Sequence, residues 1–267
     1  MNRLAILFLI SIFYFESIAV QPPVNNASAL GLGGASATYN NPFAIENNVG
    51  ILAFNENGVS FNGQNRYGLS EYSQLSLCGT MSINNTTLGI AYHNSPLADL
   101  SIQKYQLAIA KKLMDDLSVG IALNYHQHSS TNSYYKRGDA FSFNLGMYYQ
   151  VNDKLNFGFQ AFNPNRSKII DLPLERLDAM YRLGTDYLLS ENITLYSDLV
   201  QSTSQNLSFH GGLEVQKNQF KVRGGFNTNQ EIALGLGYEK NQFSFDVGTS
   251  YHNVLGVSPS INLNYAF

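Results

Sequence analysis

The chain has 267 residues, a net charge of −3 and only 13% charged residues, which is about half the share found in ordinary soluble domains. No basic run and no basic patch with interleaved aromatic residues occurs, so nucleic acid is not expected as a partner. The 22 glycines, 17 tyrosines and 17 phenylalanines suit strands and turns, and the single cysteine, Cys78, has no partner for an intramolecular disulfide.

The first residues have the pattern of a secretory signal peptide. Met1-Asn2-Arg3 is a short basic start, residues 4–15 form an apolar run, and small residues end at Ala19. We expect cleavage after Ala19, so that residues 1–19 are removed on export. No later stretch reaches the roughly 18 to 20 continuous apolar residues that a helical membrane span needs.

Residues 20–57 precede the first strand pattern and form a separate N-terminal segment rich in glycine. A G-x-G-G run such as the one at Gly31 to Gly34 can cradle a phosphate. Here no strand precedes the run and no helical pattern follows it, so the dinucleotide-binding interpretation fails its context test.

From residue 58 to the C-terminus, apolar side chains alternate with small or polar ones, and turn residues separate the segments. Phe243, Phe245, Val247 and Tyr251 show the alternation clearly, and period two over such lengths predicts strands. Fourteen segments are predicted, at approximately 58–67, 72–83, 86–94, 100–112, 117–128, 139–151, 154–163, 178–189, 193–201, 205–216, 219–227, 230–239, 242–252 and 256–267.

The connections between these segments alternate in length. Longer connections at 129–138 and 163–177 stand between short ones, which is the asymmetry of outer-membrane barrels with short periplasmic turns and both termini on the periplasmic side. Tight turns are predicted at Asn84-Asn85, Met114 to Asp116, Asn152-Asp153, Ser190 to Asn192, Lys217-Asn218 and Lys240-Asn241.

A secreted β-sandwich, or an extracellular β-barrel with an apolar interior, is the alternative architecture. Against it, the second face of the strands consists of Gly, Ser, Asn, Ala and Thr, which suits a polar lumen. We therefore predict an all-β fold, a transmembrane antiparallel up-and-down barrel of about 14 strands at residues 58–267, located in the outer membrane. Tyrosine and phenylalanine near the strand ends would form the interfacial girdle, since tryptophan is absent.

Charges inside spanning segments must face the lumen or find a partner. Pairing about the predicted Lys217-Asn218 turn sets Glu214 opposite Lys221 and Gly212 opposite Arg223. The network either cross-braces the barrel and holds the N-terminal segment, or forms a polar constriction in a solute path. Its predicted members are Arg182, Asp186, Asp198, Glu214, Lys221, Arg223 and Asp246.

The sequence offers only weak candidates for catalytic or metal-binding residues. His126 and His128 lie two apart on one strand face and could chelate a metal, but no third ligand has recognisable spacing nearby. A rim hydrolase could use serine with these histidines and Asp139, yet nothing in the spacing selects it. We expect no enzyme activity, no cofactor and no metal site.

The N-terminal segment resembles that of the FadL-like outer-membrane proteins, particularly the PorV and PorQ-type branch. In that branch a "GxGGA" run precedes a "DPxA…NPAGLA" pattern, and here Asn41-Pro42-Phe43-Ala44 and residues 48–53 occupy those places. Val49 stands where the family usually has proline, and Ile51 is inserted. The resemblance implies a 14-stranded barrel with a hatch-like segment inside the lumen, in which the matching residues are Gly31, Gly33, Gly34, Asn41, Pro42, Asn48 and Gly50.

The resemblance implies a secretion-associated function as the main prediction and solute uptake as the alternative. PorV and PorQ-type members, a Bacteroidetes-type group, serve type IX secretion and attachment of cargo to the cell surface, so the partners would be secretion components or secreted cargo. FadL-type members admit small hydrophobic molecules. Outer-membrane lipid is an expected partner in both cases, and the C-terminal Tyr265-Ala266-Phe267 resembles the signal that the barrel assembly machinery recognises.

Overall fold

A computed structural model of the chain describes residues 25–97, 100–130, 138–169, 172–229 and 231–267. The predicted signal peptide lies outside the described residues. No helix in the described part has the length and hydropathy of a membrane-spanning helix.

Fourteen antiparallel strands close into a barrel, as predicted, and successive strands are neighbours throughout. A two-stranded hairpin of β8 (Lys168–Ile169) and β9 (Leu172–Arg176) lies in the longest connection and was not predicted. The barrel strands are β1 (Gly58–Asn65), β2 (Ser73–Ile83), β3 (Thr86–Leu97), β4 (Leu100–Lys112), β5 (Leu117–Ser130), β6 (Gly138–Asn152), β7 (Leu155–Phe162), β10 (Met180–Ser190), β11 (Ile193–Ser202), β12 (Ser208–Lys217), β13 (Phe220–Asn227), β14 (Glu231–Lys240), β15 (Phe243–His252) and β16 (Gly256–Ala266).

The two faces of the wall differ as a bilayer requires. In β5, Val119, Ile121 and Leu123 are exposed on the outside, whereas Ala122 and Asn124 are buried on the inside. The same alternation recurs along the other strands, so the exterior is an apolar band and the interior is polar or small. This is the arrangement of a transmembrane barrel and the reverse of an apolar-core sandwich.

The barrel has two distinct ends. At the turn end lie the tight hairpins, the start of β1 and the C-terminus of β16, while the longer connections lie at the loop end. Rings contact one another across strands on the exterior near both ends, as in an interfacial girdle. Such contacts include Tyr92 with Tyr105 and Tyr125 with Phe141 toward the loop end, and Phe243 with Tyr265 at the turn end.

The predicted register of the β12–β13 hairpin was wrong. The turn residues are Asn218 and Gln219, and Glu214 lies opposite Arg223, not opposite Lys221, which pairs with Gln216. Asn218 has φ 54°, a left-handed conformation that asparagine tolerates in tight hairpin turns. Because the pairing shifts by two residues, an even number, Glu214 and Lys221 both still face the lumen.

Residues 25–57, here called the lumen segment, pack against inward-facing residues of the wall. The segment contains α1 (Ala27–Gly31), α2 (Ala44–Asn47) and a 3-10 helix (Val49–Phe54). All residues of α1 and α2 are buried. The Asn26 side chain caps α1 by accepting a hydrogen bond from the Ala29 backbone N–H.

Inward-facing glycines let the backbone of the lumen segment contact the wall. A Cβ on Gly225 would lie 2.2 Å from the carbonyl carbon of Leu32. On Gly158 it would lie 2.2 Å from the carbonyl oxygen of Ala37. Real Cβ atoms do not approach backbone so closely, so these positions require glycine for packing reasons.

The adjacent glycines of β13 provide a test of this fit. Gly225→Ala should destabilise the barrel by about 1 to 3 kcal/mol because the methyl group overlaps Leu32. Gly224→Ala, on the outward face with no atom within 4 Å of its Cβ position, should be neutral or slightly stabilising. Urea unfolding in detergent micelles, followed by the shift in electrophoretic mobility of the folded barrel, measures both. Equal midpoints for the two variants would contradict the close fit.

Candidate functional site

The lumen is the candidate site, because there the N-terminal segment meets the polar side chains of the wall. Arg223 is 1% exposed and forms the first ionic contact group. Its Nε donates to Glu214 Oε2 at 2.6 Å and its Nη1 donates to Asp246 Oδ1 at 2.7 Å. Its Nη2 donates to the Tyr39 hydroxyl at 2.8 Å, which ties the lumen segment to three wall strands. The sequence placed Glu214, Arg223 and Asp246 on one face but did not identify Tyr39.

Tyr39 acts as a neutral hydrogen-bonding group in this arrangement. Burial, followed by the nearby Glu214 carboxylate, raises the pKa of Tyr39 to about 12. The hydroxyl therefore stays protonated at physiological pH. It accepts a hydrogen bond from Arg223 and lies 3.4 Å from Glu214 Oε2, to which it donates.

Asp198 and Arg182 form the second ionic contact group. Asp198 Oδ2 accepts hydrogen bonds from the backbone N–H groups of Ser36 at 2.7 Å and Ala37 at 3.0 Å. Arg182 Nε lies 3.7 Å from the same oxygen, and Arg182 Nη1 donates to the Ser36 hydroxyl. Both charged side chains are almost fully buried. The pair thus attaches the middle of the lumen segment to β10 and β11.

The two remaining predicted network residues form hydrogen bonds with wall residues. Asp186 accepts a hydrogen bond from Asn156 Nδ2 at 2.9 Å, toward the turn end of β10. Lys221 pairs with Glu239 at 2.7 Å, and because Glu239 is about half exposed this is a rim contact. Five of the seven predicted residues therefore belong to the two segment-binding groups, Asp186 is a buried neighbour with a wall partner, and Lys221 lies at the rim.

The opposite half of the lumen holds α2 and the 3-10 helix. Glu46 of α2 forms a buried ion pair with Lys104 of β4. Asn48 Nδ2 donates to the carbonyl oxygens of Ala37 at 2.7 Å and Met147 at 2.9 Å. Apolar side chains of the segment also pack here against small wall residues; the cluster includes Phe43, Ile45, Val49, Ile51, Leu52, Ala91, Ala108, Ala110 and Ala122.

The Glu46–Lys104 ion pair was not predicted, although the sequence contains a signal for it. Glu46 is the only formally charged side chain in residues 25–55. A lone acid in a buried segment needs a basic partner, since an unpaired buried charge is very costly. Lys104, on the inward face of a strand, is that partner.

The residues that matched the family pattern are spread along the lumen segment. Gly33 and Gly34 have φ 69° and φ 90°, and the Gly33 carbonyl accepts a hydrogen bond from His210 Nδ1 at 2.7 Å. Gly31 packs against Gly235, and Gly50 packs against the Met147 backbone. Asn41 and Pro42 lie at the turn end, and Asn48 lies in the middle of the segment.

His126 and His128 face the lumen near the loop end. His126 Nε2 hydrogen-bonds to the Ser142 hydroxyl at 2.9 Å. Across the described residues, no group of three His, Cys, Asp or Glu side chains is arranged to hold a metal ion. His126 and His128 therefore belong to no such group among the described residues.

Two cavities flank α1. A loop-end cavity of about 710 Å³ is bordered by Leu30 and Arg182, and a turn-end cleft of about 310 Å³ is bordered by Ser28, Tyr39 and Arg223. Ser28 and Leu30 belong to the same short helix. Consequently α1 forms part of the partition between two spaces that lie toward opposite ends of the barrel.

Arg223 and Lys221 offer a matched test of the lumen charges. Arg223→Met should cost about 3 to 5 kcal/mol of stability, because Glu214 and Asp246 are left buried without a counter-charge. Lys221→Met, on the same strand face, should cost less than about 1 kcal/mol because its partner is half exposed. Urea midpoints in detergent micelles give both values.

A triple variant identifies the cause of the stability loss in Arg223→Met. Combining Arg223→Met with Glu214→Gln and Asp246→Asn removes the unpaired acids and should recover most of the stability. If the triple variant is as unstable as Arg223→Met alone, lost packing and not uncompensated charge explains the effect.

No protein-family model and no curated protein matches the sequence. Solved structures that are similar include the TodX deltaS2 mutant, described as a monoaromatic hydrocarbon channel, with 10% identity, coverage of 91% of this chain and 99% of that chain, and a TM-score of 0.73. The toluene transporter TodX of P. putida has 9% identity, covers 92% and 99%, and has a TM-score of 0.68. A Pseudomonas aeruginosa FadL homologue has 11% identity, covers 94% and 100%, and has a TM-score of 0.65. The chain thus shares the barrel fold of these channel and transporter structures.

Proposed function

We propose that the chain is a FadL-like outer-membrane barrel that admits small solutes with apolar groups. The observation that carries the proposal is the pair of cavities on either side of α1, inside a barrel with the fold of hydrocarbon channels. In an outer membrane the loop end would face outward and the turn end the periplasm. Solute would enter the loop-end cavity, pass α1 and leave through the turn-end cleft.

The contacts of α1 support a passage at this point. Residues 25–32 carry no charged side chain, and α1 is held by backbone packing on Gly235 and Gly248 and by a hydrogen bond from Ala27 N to Asn62 Oδ1 at 3.2 Å. The ionic contacts attach the segment further along, at Ser36 and Tyr39. A shift of α1 can therefore join the cavities while the ionic contacts keep the rest of the segment in place.

The comparisons favour uptake over the secretion-associated function, because the similar structures include a hydrocarbon channel and a toluene transporter. Membership of the PorV and PorQ-type branch, with partners from type IX secretion, stays a prediction from the N-terminal residues. Outer-membrane location, and the action of the lumen segment as a hatch, are part of the present proposal.

The passage can be tested with adjacent residues of β16. Ser258 borders the loop-end cavity, whereas Val257 faces outward. In host cells with an intact outer membrane, Ser258→Trp should lower the initial uptake of radiolabelled benzyl alcohol about tenfold, because the ring narrows the cavity. Val257→Trp should leave uptake unchanged, since tryptophan suits the membrane interface.

Leu30→Ala should act in the opposite direction. Truncation of this α1 side chain thins the partition and should raise the uptake rate. Electrophoretic mobility confirms that each variant is folded. Uptake by the native protein equal to that of cells with an empty vector would refute the proposal, as would equal uptake by the Ser258 and Val257 variants.

A further inference from the structure

We infer that the lumen is built for a neutral solute that carries an amide or hydroxyl group beside a compact apolar body. The inference rests on the proposed function for the route and goes beyond it by naming the chemical class. This class of solute also differs from the hydrocarbons named for the similar structures.

Carboxamide side chains are abundant around the loop-end cavity. A carboxamide both donates and accepts hydrogen bonds, so it can bind a polar group of either kind without adding charge. The side chains concerned are Asn25, Gln64, Gln205, Asn206 and Asn229, whereas Asn227, which also borders the cavity, uses its amide in hydrogen bonds to Gly33, Asn229 and Glu231.

Carboxamide side chains also border the turn-end cleft. A solute that moves past α1 therefore leaves one set of amide groups and meets another. The carboxamides that border this cleft are Asn40, Asn41, Asn55, Asn241, Gln242 and Asn264. Three of them, Asn40, Asn55 and Asn264, already donate a hydrogen bond within the protein.

Charged groups of the loop-end cavity have partners within the protein. Arg66 lies over the Tyr67 ring at 5.1 Å and donates to its hydroxyl at 2.9 Å. Arg182 pairs with Asp198, and Glu231 Oε2 accepts a hydrogen bond from Asn227 at 2.9 Å. An ionic solute would have to compete with these contacts, whereas a neutral solute leaves them intact.

The basic side chains of the turn-end cleft also have partners within the protein. Arg223 is paired with Glu214 and Asp246, and Lys221 is paired with Glu239. The remaining acid, Glu56, is exposed to solvent. No cation along the described lining of the cleft is therefore left to attract an anionic solute.

Apolar side chains complete both spaces. Leu30, Met180 and Val200 border the loop-end cavity, and Pro42 and Phe54 border the cleft. These groups can cover the body of a solute while the amides bind its polar group. A plain hydrocarbon would displace water from the amides and replace none of their hydrogen bonds.

A single-tryptophan reporter tests the ligand class, because the chain contains no tryptophan. Leu255→Trp places the reporter at the loop-end cavity, and Leu207→Trp is a control at an exposed position outside it. Purified protein in detergent is titrated with benzamide, toluene, benzoate and benzylamine, which share one ring and differ in one group. Benzamide should change the fluorescence of Leu255→Trp at a concentration at least about tenfold lower than the others, and the control should stay silent.

Gln64→Leu in the same reporter background removes one carboxamide with little change in shape. It should weaken benzamide binding several-fold and leave toluene binding unchanged or improved. Tighter or equal binding of toluene, tightest binding of benzoate or benzylamine, or no response to any probe would each overturn the inference.

Cellular uptake separates this inference from the proposed function. If the binding order holds but uptake of benzamide and benzyl alcohol equals that of vector cells, the proposed function fails and the ligand class stands. If uptake is rapid and toluene binds most tightly, the route stands and the inferred ligand class fails.

Discussion

The close contact between the lumen segment and the glycines of the wall is the constraint on which the rest of the structure depends. A barrel of 14 strands encloses more space than its own inward side chains fill, since about eight strands is the size that side chains alone can pack. The chain fills that space with its own N-terminal backbone, which approaches the wall at Gly120, Gly158 and Gly225. The ionic contacts and both cavities follow from where this backbone runs.

The buried charges have a consistent relation to that backbone. Asp198 accepts two N–H groups of the segment, Arg223 donates to Tyr39, and Lys104 pairs with Glu46. Each of these three charged side chains thus joins a wall strand to the lumen segment. A buried ion pair adds little net stability but is costly to break, so such pairs suit orientation of a segment better than overall stability. This arrangement favours bracing over a charged constriction as the role of the network.

Sequence reasoning succeeded where a single physical rule acts on many residues. The bilayer imposes alternation on every strand, so strand number, faces and antiparallel order were predictable. It failed where one residue decides the outcome: Asn218, with its positive φ, moved the β12–β13 turn and brought Glu214 opposite Arg223. Tyr39 lies on no periodic element, so only the folded path of the segment places it beside Arg223. Its position could not follow from local pattern.

The same constraints indicate where specificity can vary within this fold. The outward positions must be apolar because they face lipid, and the inward positions beside the segment must be small because backbone packs on them. Only the inward positions toward the two ends, such as Gln64 and Asn264, are free of both requirements. A barrel can therefore keep its fold and its lumen segment while the solutes it accepts change with those positions. Under the proposed uptake function, the carboxamides at both ends of this lumen are on that account a better guide to the class of solute than the fold shared with hydrocarbon channels.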